Sequence, residues 1–417
     1  MKKPAIAFFL TGLVWTAPLQ ATTLEEAIAA AQEHAPDIAI AEAEGDVAKA
    51  RVEQAKSGGR PNATLSGTAG FGRLDPRGYF GLTADNVTPV AAQLVFEQPL
   101  FTGGKVAAGI AQAQAGTAAA EAGIMATRSQ LSANVAAAYG SVISSETMIR
   151  HFAQLVDETE EIVRQARLRF RVGESPRTDV SQAQARVAEA KAGLARAEGQ
   201  LVSARARFNS LTGLDGTGLA PLPDNPDLPA TLDEAITRAE ASNPQLAQAE
   251  AGVRAAQAGL KGEKADRLPM VSAFAEGAMV RDQFFPGYKA DSATVGVRAR
   301  WQIFSGGRVS GKIAESDARL RAAEAQFRAA QDMVREYVIG AFSGVRTATL
   351  VEAAAIEQDA AASDALRSVR EEVRVGMKPQ LALLDAEREA IAASAALANA
   401  RTERIVSAYR LLALIGA

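Results

Sequence analysis

Leu100-Phe101-Thr102-Gly103-Gly104-Lys105-Val106 returns 203 positions later as Ile303-Phe304-Ser305-Gly306-Gly307-Arg308-Val309. Each copy divides a stretch of alternating residues from a very long one without proline. Before the second copy, Val295, Val297, Ala299, Trp301 and Ile303 alternate with Thr294, Arg298, Arg300 and Gln302, which predicts a strand over 294–304 with one apolar and one charged face. Two adjacent glycines reach backbone angles closed to other residues, and so suit a chain that leaves a sheet and starts a helix.

Composition narrows the class. With 48% hydrophobic and 22% charged residues and a net charge of -3, neither nucleic-acid binding nor disorder is favoured. Aromatics make up only 5% while alanine is abundant, which predicts long, closely packed helices and an elongated molecule. There is no cysteine, so disulfides and thiolate metal sites are excluded. The two histidines, His34 and His151, read as packing or surface residues, because a metal site usually needs three or four protein ligands.

Met1-Lys2-Lys3, the apolar run from Ala5 to Leu19 and the small Ala21 read as a secretory signal peptide over 1–21. That run is short of the roughly 20 residues a membrane helix needs, and no later stretch is continuously apolar for that length. An exported chain without a helical anchor is either soluble or inserted as a β-barrel.

The remaining chain is duplicated. Thr23-Leu24-Glu25-Glu26-Ala27-Ile28 reappears as Thr231-Leu232-Asp233-Glu234-Ala235-Ile236, each a helix start with a capping threonine and acids opposing the dipole. Pro36 matches Pro244 and Pro61 matches Pro269. The first helix is expected to run to about Lys56, followed by alternating strands over 62–71 and 90–97 around a Gly, Pro and Asp-rich loop over 73–88. The second half offers strands over 271–279 and 294–304 around a loop over 281–291. Strands of about ten residues have the length of a tilted transmembrane strand.

After each glycine joint a helix is predicted, over 105–172 and 308–375, until Arg171-Val172-Gly173-Glu174-Ser175-Pro176 and Arg374-Val375-Gly376-Met377-Lys378-Pro379 reverse the chain. The returning helix carries a heptad seam of Val180, Val187, Leu194, Leu201 and Phe208, with a companion seam of Ala183, Ala190, Ala197, Ala204 and Leu211. Its second copy keeps Leu383, Leu397 and Leu411 but places Ala390 and Arg404 on the seam, which predicts partial exposure or a different neighbour there. The organisation is a first repeat over 22–213, a proline-rich linker over 214–230 and a second repeat over 231–417.

Chemistry-bearing motifs are weak. Gly306 to Lys312 fits the spacing of a phosphate-binding loop, but Ile313 stands where a magnesium-holding Ser or Thr is needed. No catalytic, cofactor-binding or metal constellation is expected, and carboxylates such as Asp157, Glu158, Glu160 and Glu161 read as solvated helix faces. If the strands span a membrane, Arg298, Arg300 and Gln302 are expected to line water, because arginine facing mid-bilayer in a barrel costs about 2 to 4 kcal/mol; the same alternation also fits a half-buried strand of a soluble sheet with an ordinary polar face. Four strands cannot close a barrel, so several chains would have to contribute.

In the order and duplication of these parts, the chain resembles the TolC-type outer-membrane efflux channels. The resemblance implies a mainly helical fold with a membrane β-barrel part: a trimer whose chains each give four strands to one twelve-stranded barrel, above a periplasmic α-helical tunnel. It implies an exit duct for efflux or type I secretion in the outer membrane, with an inner-membrane pump and a periplasmic adaptor as partners. No enzymatic activity, cofactor or nucleic acid is implied. By the resemblance, Thr178, Asp179, Lys378 and Asp385 form a periplasmic gate, with Lys378 in place of an arginine that latches the Thr-Asp pair. Ala382 and Val373 depart from that pattern. The tip turns at Gly173, Glu174, Ser175, Pro176, Gly376, Met377 and Pro379 would meet the adaptor. The competing readings are a periplasmic adaptor and an exported structural coiled coil.

Overall fold

The computed structural model describes residues 21–75, 85–224 and 226–416. The expected signal peptide lies outside the described residues apart from Ala21, as does the middle of the loop expected over 73–88. In chain order the elements are α1 (Leu24–His34), α2 (Pro36–Ser57), β1 (Asn62–Ala69), β2 (Gly72–Leu74), β3 (Asp85–Val87), β4 (Val90–Phe101), α3 (Lys105–Arg171) and α4 (Arg177–Thr212). They continue as α5 (Leu232–Ser242), α6 (Pro244–Ala265), β5 (Met270–Arg281), β6 (Lys289–Arg300), α7 (Arg308–Arg374) and α8 (Gln380–Ile415).

Both glycine joints behave as the sequence demands. Gly103 and Gly104 have φ of 62° and 90°, Gly306 and Gly307 57° and 87°, and a helix of 67 residues starts directly after each pair. The helix expected to run unbroken to Lys56 is two helices, and so is its counterpart. Pro36 and Pro244 each stand at the first position of a new helix, because proline has no N–H to continue the preceding one. Thr23 and Glu26 cap α1 reciprocally, Thr23 N donating to Glu26 Oε2 at 2.9 Å and Glu26 N to Thr23 Oγ1 at 3.2 Å.

The described residues form two compact units. One draws on the chain up to His34, Asn134–Asp224 and Leu350–Val406, the other on Ala35–Ala133, Asn225–Thr349 and Ser407–Ala417.

In the second of these, β1, β4, β5 and β6 form one antiparallel sheet in the order β1-β4-β5-β6, and β2 and β3 a small separate ribbon within the expected loop. Its helical core joins Ala235, Ala239 and Leu246 to Val334, Val338 and Val345 of α7 and to Leu411 and Ile415 of α8. The buried Asn243 caps α6 through Oδ1, accepting from Gln245 N and Leu246 N at 2.8 and 3.1 Å, while its Nδ2 donates to Leu414 O at 2.8 Å. By length and composition alone, α7 contains a stretch apolar enough to cross a membrane, though no run of that length in it is continuously apolar. Part of that apolar content is spent on this core.

In the other unit, Tyr139 is fully buried, its ring edge-on to Phe208 with centroids 6.1 Å apart. Its hydroxyl is shared between Ala220 O at 2.6 Å and Thr22 O at 2.8 Å, fixing both the segment before α1 and the stretch after α4 to α3. The small-residue seam of α4 is buried at Ala183, Ala190 and Ala197, together with Gly193 beside it and Phe208 of the other seam. Of the two outcomes expected for Arg404 on the α8 seam, partial exposure or a different neighbour, the second holds: 12% of its side chain is accessible. It meets Glu352 of α7, itself 14% accessible, and its Nη2 donates to Pro223 O at 3.2 Å.

Candidate functional site

The sheet carries two unlike faces. Residues directly opposite in an antiparallel pair share a face, so the register sorts the side chains. One face holds Thr64 and Ser66 of β1, Gln93 and Glu97 of β4, Ser272 and Glu276 of β5, and Thr294 and Arg298 of β6. The other holds Leu65, Leu94 and Phe96, Met279, Val295 and Val297.

The polar face is cross-linked. Gln93 Nε2 donates to Glu276 Oε1 at 2.6 Å and Ser272 Oγ to Glu97 Oε1 at 2.7 Å. Arg298 lies 4.6 Å over the Phe274 ring with Nη2 3.9 Å from Glu276 Oε2. The apolar face is bare, with Val295 83% and Leu65 75% exposed. Aromatic residues flank the strands at both ends: Phe284 and Tyr288, with centroids 5.2 Å apart, in the β5–β6 loop, and exposed Trp301 and Phe304 below β6.

Arg298 and Arg300 both fall on β6, while Gln302 does not. The last pair of the β5–β6 ladder is Met270 with Arg300, so β6 has no partner beyond it. Trp301 Nε1 donates to Arg267 O at 3.1 Å as the chain leaves the sheet, and Gln302 Oε1 accepts from Arg308 Nη2 at 2.6 Å. Gln302 thus belongs to the joint before α7. Lys312, the lysine of the apparent phosphate loop, stands 3.5 Å from Glu263.

The two tips are the same turn. At each, glycine takes a left-handed conformation, Gly173 with φ 80° and Gly376 with φ 79°. Gly173 N bonds Phe170 O at 3.1 Å and Glu174 N bonds Arg169 O at 2.9 Å; Gly376 N bonds Val373 O at 3.1 Å and Met377 N bonds Glu372 O at 2.8 Å. Both sets satisfy the last helix carbonyls by the Schellman pattern. Ser175 and Pro176 complete the first turn and Pro379 the second, and Met377 is 77% exposed.

Thr178 and Asp179 stand in the first turn of α4, and Lys378 just before α8. Within the chain these are not brought together: Lys378 Nζ pairs with Glu372 Oε2 at 2.7 Å, and among the described residues Asp179 is in no ion pair. Asp385 faces Arg186 of α4, Oδ1 to Nη2 3.9 Å, and Arg186 also holds Glu189 at 2.8 Å.

Two segments of the chain, 27–214 and 235–417, match the family model described as outer membrane efflux protein. The chain belongs to the outer membrane efflux protein family. A relative, the outer membrane efflux protein BepC of Brucella suis biovar 1 (strain 1330), is 30% identical over 420 residues, covering 99% of this chain and 89% of BepC. Among solved structures, the Campylobacter jejuni CmeC outer membrane channel matches with a TM-score of 0.80 at 14% identity, over 100% of this chain and 93% of CmeC. The outer membrane protein VceC of Vibrio cholerae matches with 0.76 at 20% identity, over 94% and 96%. The efflux protein is therefore an outer-membrane exit duct of a channel family, with a periplasmic helical part, and the adaptor and coiled-coil readings are set aside.

Sequence reading missed the polar line between α3 and α8 of this efflux protein. Ser144 meets Asn399 at 3.4 Å and His151 Nε2 meets Ser394 Oγ at 2.8 Å. Burial holds the His151 imidazole below its usual range, only partly offset by Asp359. Seven residues beyond His151, Glu158 meets Glu387, which is 3% exposed. The signal was spacing: Glu387 and Ser394 interrupt the apolar seam of α8 between Leu383, Ala390 and Leu397.

Proposed function

We propose that three copies of the chain close their four-stranded sheets into one twelve-stranded barrel and act as a passive duct. The carrying observation is the two-faced sheet. Its bare apolar face suits lipid, its cross-linked polar face suits a water-filled lumen, and β1 and β6 are its edges. A lone sheet of this kind would leave two rows of backbone donors and acceptors unpaired in hydrocarbon, which closure into a barrel removes. On this reading Arg298 and Arg300 line the lumen, and the exposed rings at the strand ends sit at the two interfaces.

Thr178, Asp179, Lys378 and Asp385 form the periplasmic gate, with Lys378 leaving Glu372 to hold Asp179 of a neighbouring copy. Arg186, which faces Asp385 inside the chain, belongs to the same constriction. The exposed tip turns offer the docking surface for a periplasmic adaptor, which connects the duct to an inner-membrane pump. Family members work as trimers with such partners; which adaptor and pump serve this chain follows from tip complementarity.

The test is single-channel recording of the detergent-purified oligomer in a planar bilayer, with its mass measured in parallel. Trimers that conduct support the duct. Folded trimers that insert and pass no current with the gate opened by substitution overturn it.

A further inference from the structure

Glu387 is the most covered carboxylate of its unit, on the α8 seam and 3% exposed. Its neighbours come from α3 and α7. From α3 come Glu158 and, one step up the line, His151; from α7 come Arg370 and Asp359, all but Arg370 lining a shared cavity of about 220 Å³. The charged groups that α4 brings nearby are otherwise engaged, Arg186 with Glu189 and Asp385, and Glu189 with Arg388 of α8 at 4.0 Å.

Arg370 does not satisfy Glu387. Its Nη2 lies 2.9 Å from Glu158 Oε1 but 3.7 Å from Glu387 Oε1, beyond hydrogen-bonding reach. Gln154 Nε2 also donates to Glu158 Oε1, at 2.8 Å. Among the described residues no donor reaches either carboxyl oxygen of Glu387. Two carboxylates and one guanidinium would leave a buried negative charge without a hydrogen bond, which a protein interior strongly disfavours. One proton between the two carboxyl groups removes that charge and supplies the missing bond.

We propose that Glu387 and Glu158 form a proton-binding site that ties α8 of the second repeat to α3 of the first, Glu387 carrying the proton and donating it to Glu158. Burial, and then the hydrogen bond and negative charge of Glu158, push the Glu387 carboxyl up to about 9. Burial also acts to raise Glu158, but its bonds to Glu387, Gln154 and Arg370 outweigh this and hold it below the usual range. Because the folded state keeps a proton that the unfolded chain releases near an ordinary glutamate value, stability falls as pH rises from about 4.5 to about 9. Above that range the pair carries two charges and the α3–α8 contact loosens.

The test uses the full chain as purified oligomer and is independent of whether it conducts. The infrared carboxylic-acid C=O band of a buried protonated glutamate is followed against pH, beside thermal unfolding across the same range. The proposal expects a band present at pH 7 that disappears near pH 9 in the native protein and is missing in Glu387→Gln. It also expects the variant to lose the fall in stability over that window, since its amide donates to Glu158 without titrating. A native protein with no such band at pH 7 overturns the proposal, and so does a band that persists in Glu387→Gln. Should that variant fail to assemble, Glu158→Gln serves instead. The proposal then expects the band to titrate at lower pH once the facing charge is gone, and an unmoved titration overturns it.

Discussion

Phe152 of α3 occupies the space a side chain at Gly193 of α4 would need: a Cβ there would fall 2.4 Å from Phe152 Cε1. Gly193→Ala should therefore force the two helices apart or the ring out of its place. A loss of about 1 to 3 kcal/mol is expected from overpacking, read as a lowered unfolding midpoint. Phe152→Leu in the same chain should restore most of it, and no restoration would mean that the contact is not what matters.

Arg404 and Glu352 form an ion pair with only 12% and 14% of their side chains accessible. Arg404→Met removes one charge and leaves the other covered, for which up to about 3 to 5 kcal/mol is lost in buried pairs. Replacing both by methionine should recover much of the stability in denaturant titration. Equal damage in the single and double variants would show that the pair is not the cause.

On β6, neighbouring residues should respond oppositely. Val295→Arg places a charge on the bare apolar face, where it costs about 2 to 4 kcal/mol at mid-bilayer; Thr294→Arg places it on the polar face and should leave assembly intact. Trimer yield after refolding into lipid distinguishes the two. Arg298→Glu should assemble normally and shift the reversal potential in a salt gradient towards cation selectivity.

Lys378→Ala removes the cation assigned to the gate. Conductance of the native channel is expected to be small and to rise several-fold in the variant, while Glu372→Ala, which frees Lys378 from its partner in the chain, should not open it. Unchanged currents in both would place the latch elsewhere.

Tyr139→Phe leaves Ala220 O and Thr22 O without their shared donor. A cost of about 1 to 2 kcal/mol is expected at neutral pH. Burial pushes the native hydroxyl up to about 12 from 10.0, so the folded state holds a proton the unfolded chain loses, and native stability falls as pH rises between those values. Unfolding scans of the variant should lack that part of the alkaline fall.

The architecture was legible because its signals are local. Glycine pairs, capping threonines and tip glycines depend on near neighbours in the chain, and each was found where read; the alternation marked all four long strands, but β6 runs over Lys289–Arg300 and not over 294–304. Errors followed the same logic: the break at Pro36 was available in the sequence, whereas the end of β6 at Arg300 depends on β5 having no residue left to pair with Gln302.

What the sequence by itself determined is the duplicated frame, the two faces of the strands and the absence of any cysteine-based chemistry, since composition and period act without reference to distant residues. Only the tertiary structure decided which charges meet. It set Arg404 against Glu352, kept Lys378 on Glu372, and brought Glu387 to Glu158 across 229 positions. A carboxylate on a helix looks the same in sequence whether water or another carboxylate faces it, and its protonation is settled by what the fold places opposite.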